Sequence, residues 1–102
     1  MKLPSTLRII GRDWKVEEVE EINDAFGLCR KEELKLQVEK GLPLDLKIDT
    51  FIHEVLHAID WAMNTELTEK QNTSLATGIA AVFKDNPKLA GILWSKKSTE
   101  KG

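Results

Sequence analysis

The hydrophobic pattern of this chain changes period once, near residue 45, and that change separates a sheet-forming half from a helical half. Before it, short runs alternate apolar and polar residues. Leu7-Arg8-Ile9 and Trp14-Lys15-Val16 flank the turn-like Gly11-Arg12-Asp13, a pattern that predicts a first hairpin. Residues 25–30 and 33–38 predict a second, with Leu34, Leu36 and Val38 alternating with Lys35 and Gln37. Gly41-Leu42-Pro43 then interrupts, as such residues do between elements.

From about Asp45 to Met63 the apolar residues recur at helical spacing, and Asn64-Thr65 supplies a stop. Thr68, followed three residues later by Gln71, reads as a capping box that opens a second helix from about Glu69 to Lys84. Asn86-Pro87 starts a last short helical piece through Leu93 or Trp94, since proline is accommodated at a first helical position. Residues 95–102 are polar and charged and are expected to form a flexible tail. The expected class is therefore α+β. One domain over residues 1–94 would hold a small antiparallel or mixed sheet, built from two hairpins and packed on two helices.

Composition limits what such a domain can do. A chain of 102 residues has room for one modest core. Fifteen basic residues against 17 acidic ones give a net charge of -2, too balanced to hold nucleic acid by its field, so no nucleic-acid partner is expected. The single cysteine, Cys29, cannot form an internal disulfide and is read as a small buried apolar group. No apolar run is long enough for a signal peptide or a membrane span. The expected location is the cytoplasm, away from membranes.

Both histidines fall in one pentapeptide, His53-Glu54-Val55-Leu56-His57. Scattered at random, two histidines would fall four apart roughly 2% of the time, and a glutamate after the first reduces this to roughly 0.2%. On a helix, four residues advance about 400°, so both imidazoles leave the same side one turn apart and can reach one metal ion. Glu54 lies about 100° from His53, at the edge of that face, where it suits a base beside a metal-bound water better than a ligand. Ile48, Ile52, Val55, Ile59 and Met63 share an apolar arc that is the expected core face. His57, Asp60, Trp61 and Asn64 lie on the polar side. The bland alternative, two histidines on a solvated helix face, leaves the coincidence unexplained.

A catalytic zinc ion takes three protein ligands and one water, and the chain has no third histidine. Asp60, Glu66 and Glu69 are the nearby carboxylates. Asp60 would lie about 10 Å from His53 along the helix, so it is read as supporting the site from behind or as surface. Glu69, in the first turn of the second helix beside a ridge of small residues at Thr73, Ala76 and Ala80, is the preferred ligand. Glu66, held only by a loop, is the alternative. The competing account of Glu69 is a first-turn carboxylate interacting with the helix dipole. The acidic run Glu17 to Glu21 is read as a solvated strand end. Trp14, Trp61 and Trp94 are read as packing groups, with Trp61 alone a candidate pocket wall.

The segment His53-Glu54-Val55-Leu56-His57-Ala58-Ile59-Asp60 with Leu67-Thr68-Glu69 resembles the zincin metallopeptidases, and among them the small phage and bacterial proteins of the ImmA/IrrE and SprT-like groups. The resemblance extends over roughly residues 6 to 87, and only the pentapeptide is specific. It implies a small twisted sheet on an active-site helix, with an extended substrate along an edge strand, for which residues 33–38 are the candidate. Met63 stands where the metzincin pattern wants a third histidine, which excludes that branch. In one alignment with ImmA-like relatives, Gln71 takes the place of the ligand glutamate. Relatives of this type also stabilise the oxyanion with tyrosine, histidine or arginine. This chain has no tyrosine and no spare histidine, so an arginine or lysine would have to serve.

The expected function is zinc-dependent hydrolysis of a peptide or protein substrate. His53, His57 and Glu69 would bind Zn2+, and Glu54 would act as general base. The alternative is a non-enzymatic zinc-containing module for regulation or partner binding, whose metal would be closed by four protein ligands.

Overall fold

The computed structural model describes residues 2–93, so Trp94 and the tail expected at 95–102 lie outside it. The chain is α+β. Strands β1 (Thr6–Ile9), β2 (Arg12–Val19), β3 (Gly27–Arg30) and β4 (Lys35–Glu39) precede helices α1 (Leu44–Met63), α2 (Glu69–Asp85) and α3 (Leu89–Leu93). The period change near residue 45 is thus the boundary between sheet and helices. No described helix is long and apolar enough to cross a membrane.

The sheet is mixed, in the order β1-β2-β4-β3. β1 and β2 form the expected hairpin, but with Ile9 opposite Arg12 its turn is Ile10-Gly11. Both turn residues have positive φ, 43° and 79°, the conformation of a two-residue turn that matches strand twist. Arg12 and Asp13 therefore belong to β2, not to the turn. The second hairpin also forms, β3 antiparallel to β4, but β4 inserts beside β2 in parallel register, Val16 against Leu36 and Glu18 against Val38. The sequence reading that residues 33–38 form an edge is corrected: β4 is central and β3 is the edge. Leu36 and Val38, fully buried, require cover that an edge position would not give.

Helix α1 crosses the sheet near β3 and β4 and is backed by α2. The row it buries is Thr50, Glu54 and Ala58, at i, i+4 spacing. That differs from the expected core arc of Ile48, Ile52, Val55, Ile59 and Met63. A helix enclosed by a sheet and a second helix meets neighbours on two sides, and short side chains lie where the backbones come closest. Val55 and Ile59 pack at the margin of the core with Phe51, while Met63 is exposed at the helix end.

The close approach falls on Gly27. A Cβ there would sit 2.7 Å from Thr50 Cγ2 and 2.9 Å from Glu54 Oε2, so only glycine lets β3 lie against α1 at this level. The acidic run at the end of β2 is also paired more fully than its sequence suggests. Glu17 accepts from Gln37 at 3.0 Å, Glu18 meets Lys47 at 2.7 Å and Glu20 meets Lys40 at 3.1 Å. These contacts sew β2 to β4 and to α1. The Gln37 hydrogen bond, with Lys35 nearby, holds Glu17 below the usual carboxylate range, and Lys47 does the same for Glu18.

Gly27→Ala is expected to force β3 off α1 and to lower stability by about 1–3 kcal/mol, the usual cost of overpacking. Urea unfolding measures the loss, and a smaller change would show that the two elements can separate freely.

Candidate metal and catalytic site

Helix α1 ends where the sequence predicts, with Asn64 in the left-handed region at φ 53°. The link to α2 is short and pinned by Asp60, whose carboxylate accepts from the Thr65 hydroxyl and from the Leu67 N–H at 3.0 Å. Those two hydrogen bonds, the Thr65 contact first, keep the Asp60 carboxyl below its ordinary range. Thr68 and Gln71 then form the full capping box, side chain to backbone in both directions. Gln71 is therefore used at the helix start and stands outside the donor cluster.

Helix α2 runs back antiparallel to α1, and its links follow that direction. Lys84 meets Asp45 at 3.0 Å, the Thr77 hydroxyl donates to Asp49 at 3.1 Å, and Asn72 Nδ2 donates to the carbonyl oxygen of His53 at 3.1 Å. Asn72 is fully buried and was not singled out by the sequence. The only hint was a polar residue inside an otherwise small-residue row. One turn before it, Glu69 is carried to the histidines.

Three donors converge there. His53 Nε2 lies 2.8 Å from Glu69 Oε1, His57 Nε2 lies 3.3 Å from Glu69 Oε2, and the two Nε2 atoms are 3.1 Å apart. A tetrahedral zinc ion with bonds of about 2.0–2.1 Å wants donors roughly 3.3 Å apart, so the spacing and the donor types fit that ion. His57 is held below its ordinary pKa by burial, which outweighs the opposing charge of Glu69. The neutral imidazole so favoured is the form that binds a metal.

Glu66, with φ 58° in the connecting loop, stays exposed and outside this cluster. Asp60 also stays outside it and serves as the anchor of the loop. Trp61 is corrected as a pocket wall. It packs edge-on against Trp14, centroids 5.9 Å apart, with Arg12 over its ring, and it is absent from the cleft.

The cleft has a volume of about 500 Å³ and runs between β3 and the helices, from Phe26 and Leu28 to His57 and Glu69. Glu54 lines it from beneath Gly27. Although only 6% exposed, its carboxylate makes no hydrogen bond or ion pair to any described residue. Burial, with Glu69 adding repulsion, pushes its pKa up to about 7. Cys29, next along the strand, is partly buried, and its thiol is pushed up to about 11 by burial and by Glu54. It behaves as a neutral wall group rather than as a ligand.

The Glu54 shift has a thermodynamic sign. In the metal-free protein the folded state keeps its proton up to about pH 7, whereas the unfolded chain releases it near 4.5. The contribution is fully present below the lower value and is lost as pH rises through the upper one. Metal-free Glu54→Gln should match the unsubstituted protein near pH 4.5 and exceed it at pH 8 by on the order of 2–3 kcal/mol. Urea unfolding in chelator across that range measures the difference, and a difference that does not change with pH would remove the assignment. Comparison with protein-family models, curated proteins and solved structures finds no match to this chain, so the chemistry of the site is read from its own residues.

Proposed function

We propose that this chain is a zinc metallopeptidase of minimal zincin-like architecture. Zinc held by His53, His57 and Glu69 would supply Lewis acidity and lower the pKa of a coordinated water toward 7. The observation that carries the reading is Glu54. The residue is buried and its carboxylate makes no hydrogen bond or ion pair to a described residue, yet it opens onto a cleft beside three converging donors, a placement that makes the ionised form costly.

Its chemistry follows from its position. With a pKa near 7, Glu54 can take a proton from an attacking water and return it to the departing amine at neutral pH. Edge strand β3 supports the same reading, because its open side can accept an extended peptide by strand addition. Phe26 and Leu28, both exposed beside the cleft, offer apolar contact to such a chain. A non-enzymatic module with a closed structural metal would use four protein donors, and the cluster has three among the described residues.

The test is zinc stoichiometry measured together with cleavage of a peptide library. Glu54→Gln should retain one zinc ion per chain and lose at least about 10²-fold in kcat. His53→Ala should lose the metal, and Glu69→Ala should bind it far more weakly than Glu66→Ala. Cleavage retained by Glu54→Gln, or a zinc-loaded protein that cleaves nothing, would overturn the proposal.

A further inference from the structure

Attack of water on an amide puts negative charge on the carbonyl oxygen, and donors aimed at that oxygen in a water-poor cleft are among the largest contributors to rate. The chain has no tyrosine, and its two histidines are committed to the donor cluster. Its three arginines are engaged elsewhere. Arg8 pairs with Asp13 at 3.0 Å, Arg12 lies over Trp61, and Arg30 Nε donates to Gln37 at 2.9 Å.

We infer that Lys31, among the described residues the one lysine or arginine lining the cleft, donates to the substrate carbonyl oxygen as it becomes an oxyanion. This rests on the peptidase reading above. Successive side chains of a strand alternate in direction. Gly27 meets Thr50 and Glu54, Cys29 follows on the same side, and Lys31, in the turn just after the strand, also lines the cleft. Lys31 lines the same cleft as Glu54, His57 and Glu69. Lys31 is half-buried and, among the described residues, makes no ion pair or side-chain hydrogen bond. Lys35, Lys40, Lys47 and Lys84 are all paired.

The step balances without a further reactant. As the bond from water oxygen to carbonyl carbon forms, the carbonyl π electrons move to oxygen and Glu54 takes the water proton. Lys31 donates a hydrogen bond and keeps its proton. On collapse the C–N bond breaks. Glu54 delivers its proton, and then the one left on the attacking oxygen, to the amine, leaving a carboxylate and an ammonium product.

Lys31→Met and Lys31→Arg, both zinc-loaded, test this against C-terminally amidated peptides. Lys31→Met should keep its zinc and lose about 10²–10³-fold in kcat, the usual effect of removing one oxyanion donor, with KM within about threefold. Lys31→Arg should recover part of the loss. Calorimetry with a phosphinic peptide, whose tetrahedral anion mimics the oxyanion, should show at least a tenfold weaker Kd for Lys31→Met, while the parent amide peptide binds unchanged. Equal phosphinic affinity would overturn the inference. So would a loss shared by the amide peptide, or one confined to substrates with a free C-terminal carboxylate. The phosphinic measurement reads Lys31 even if no peptide is cleaved, so failure of this inference and failure of the peptidase reading are distinguishable.

Discussion

Asn72 donates to the carbonyl oxygen of His53, and the geometry of the site depends on that contact. The carbonyl belongs to the first histidine of the pentapeptide, so the bond ties α2 to α1 at the level of the chemistry. Its 3.1 Å length fixes the spacing of two backbones, and Glu69, three residues earlier on α2, is carried along. Asp60 fixes the same arrangement from the other side by holding Thr65 and Leu67. A carboxylate that is largely exposed would otherwise lose much side-chain entropy on meeting two imidazoles. Here the helix pair holds its backbone in place.

The second constraint is the contact between β3 and α1. Because Gly27 has no Cβ, the strand backbone lies directly over Glu54, and the carboxylate is shielded from bulk water without being given a partner. Most buried polar groups are satisfied; among the described residues the buried side-chain atom left without a partner is Asn72 Oδ1, whereas the Glu54 carboxylate opens onto the cleft. The same feature that destabilises the ionised folded state leaves the carboxyl half-protonated near neutrality. Perturbed carboxylates in clefts are candidates for function on this ground, and the three donors beside this one add an independent geometric reason.

Much of this was legible in the chain. The period change, the Asn64 stop, the Thr68–Gln71 capping box and the one-turn spacing of His53 and His57 are local features, set by neighbours within four residues. What could not be read depends on which elements meet. Periodicity assigns residues 33–38 to a strand with one buried face but carries no information on its neighbours, so the parallel pairing of β2 and β4 and the edge position of β3 were missed. The burial of Thr50 and Glu54 in place of the isoleucine arc, the close approach at Gly27 and the role of Asn72 are likewise tertiary. Trp61 lay on the polar side of the wheel, but its partner, Trp14, is on a strand, beyond what a helical wheel describes.

An open edge strand beside the cleft carries a risk, since unpaired N–H and C=O groups invite self-association. In this fold β3 is short, ends in Arg30, and begins at a glycine packed against a helix. Short length and a charged end both disfavour edge-to-edge pairing.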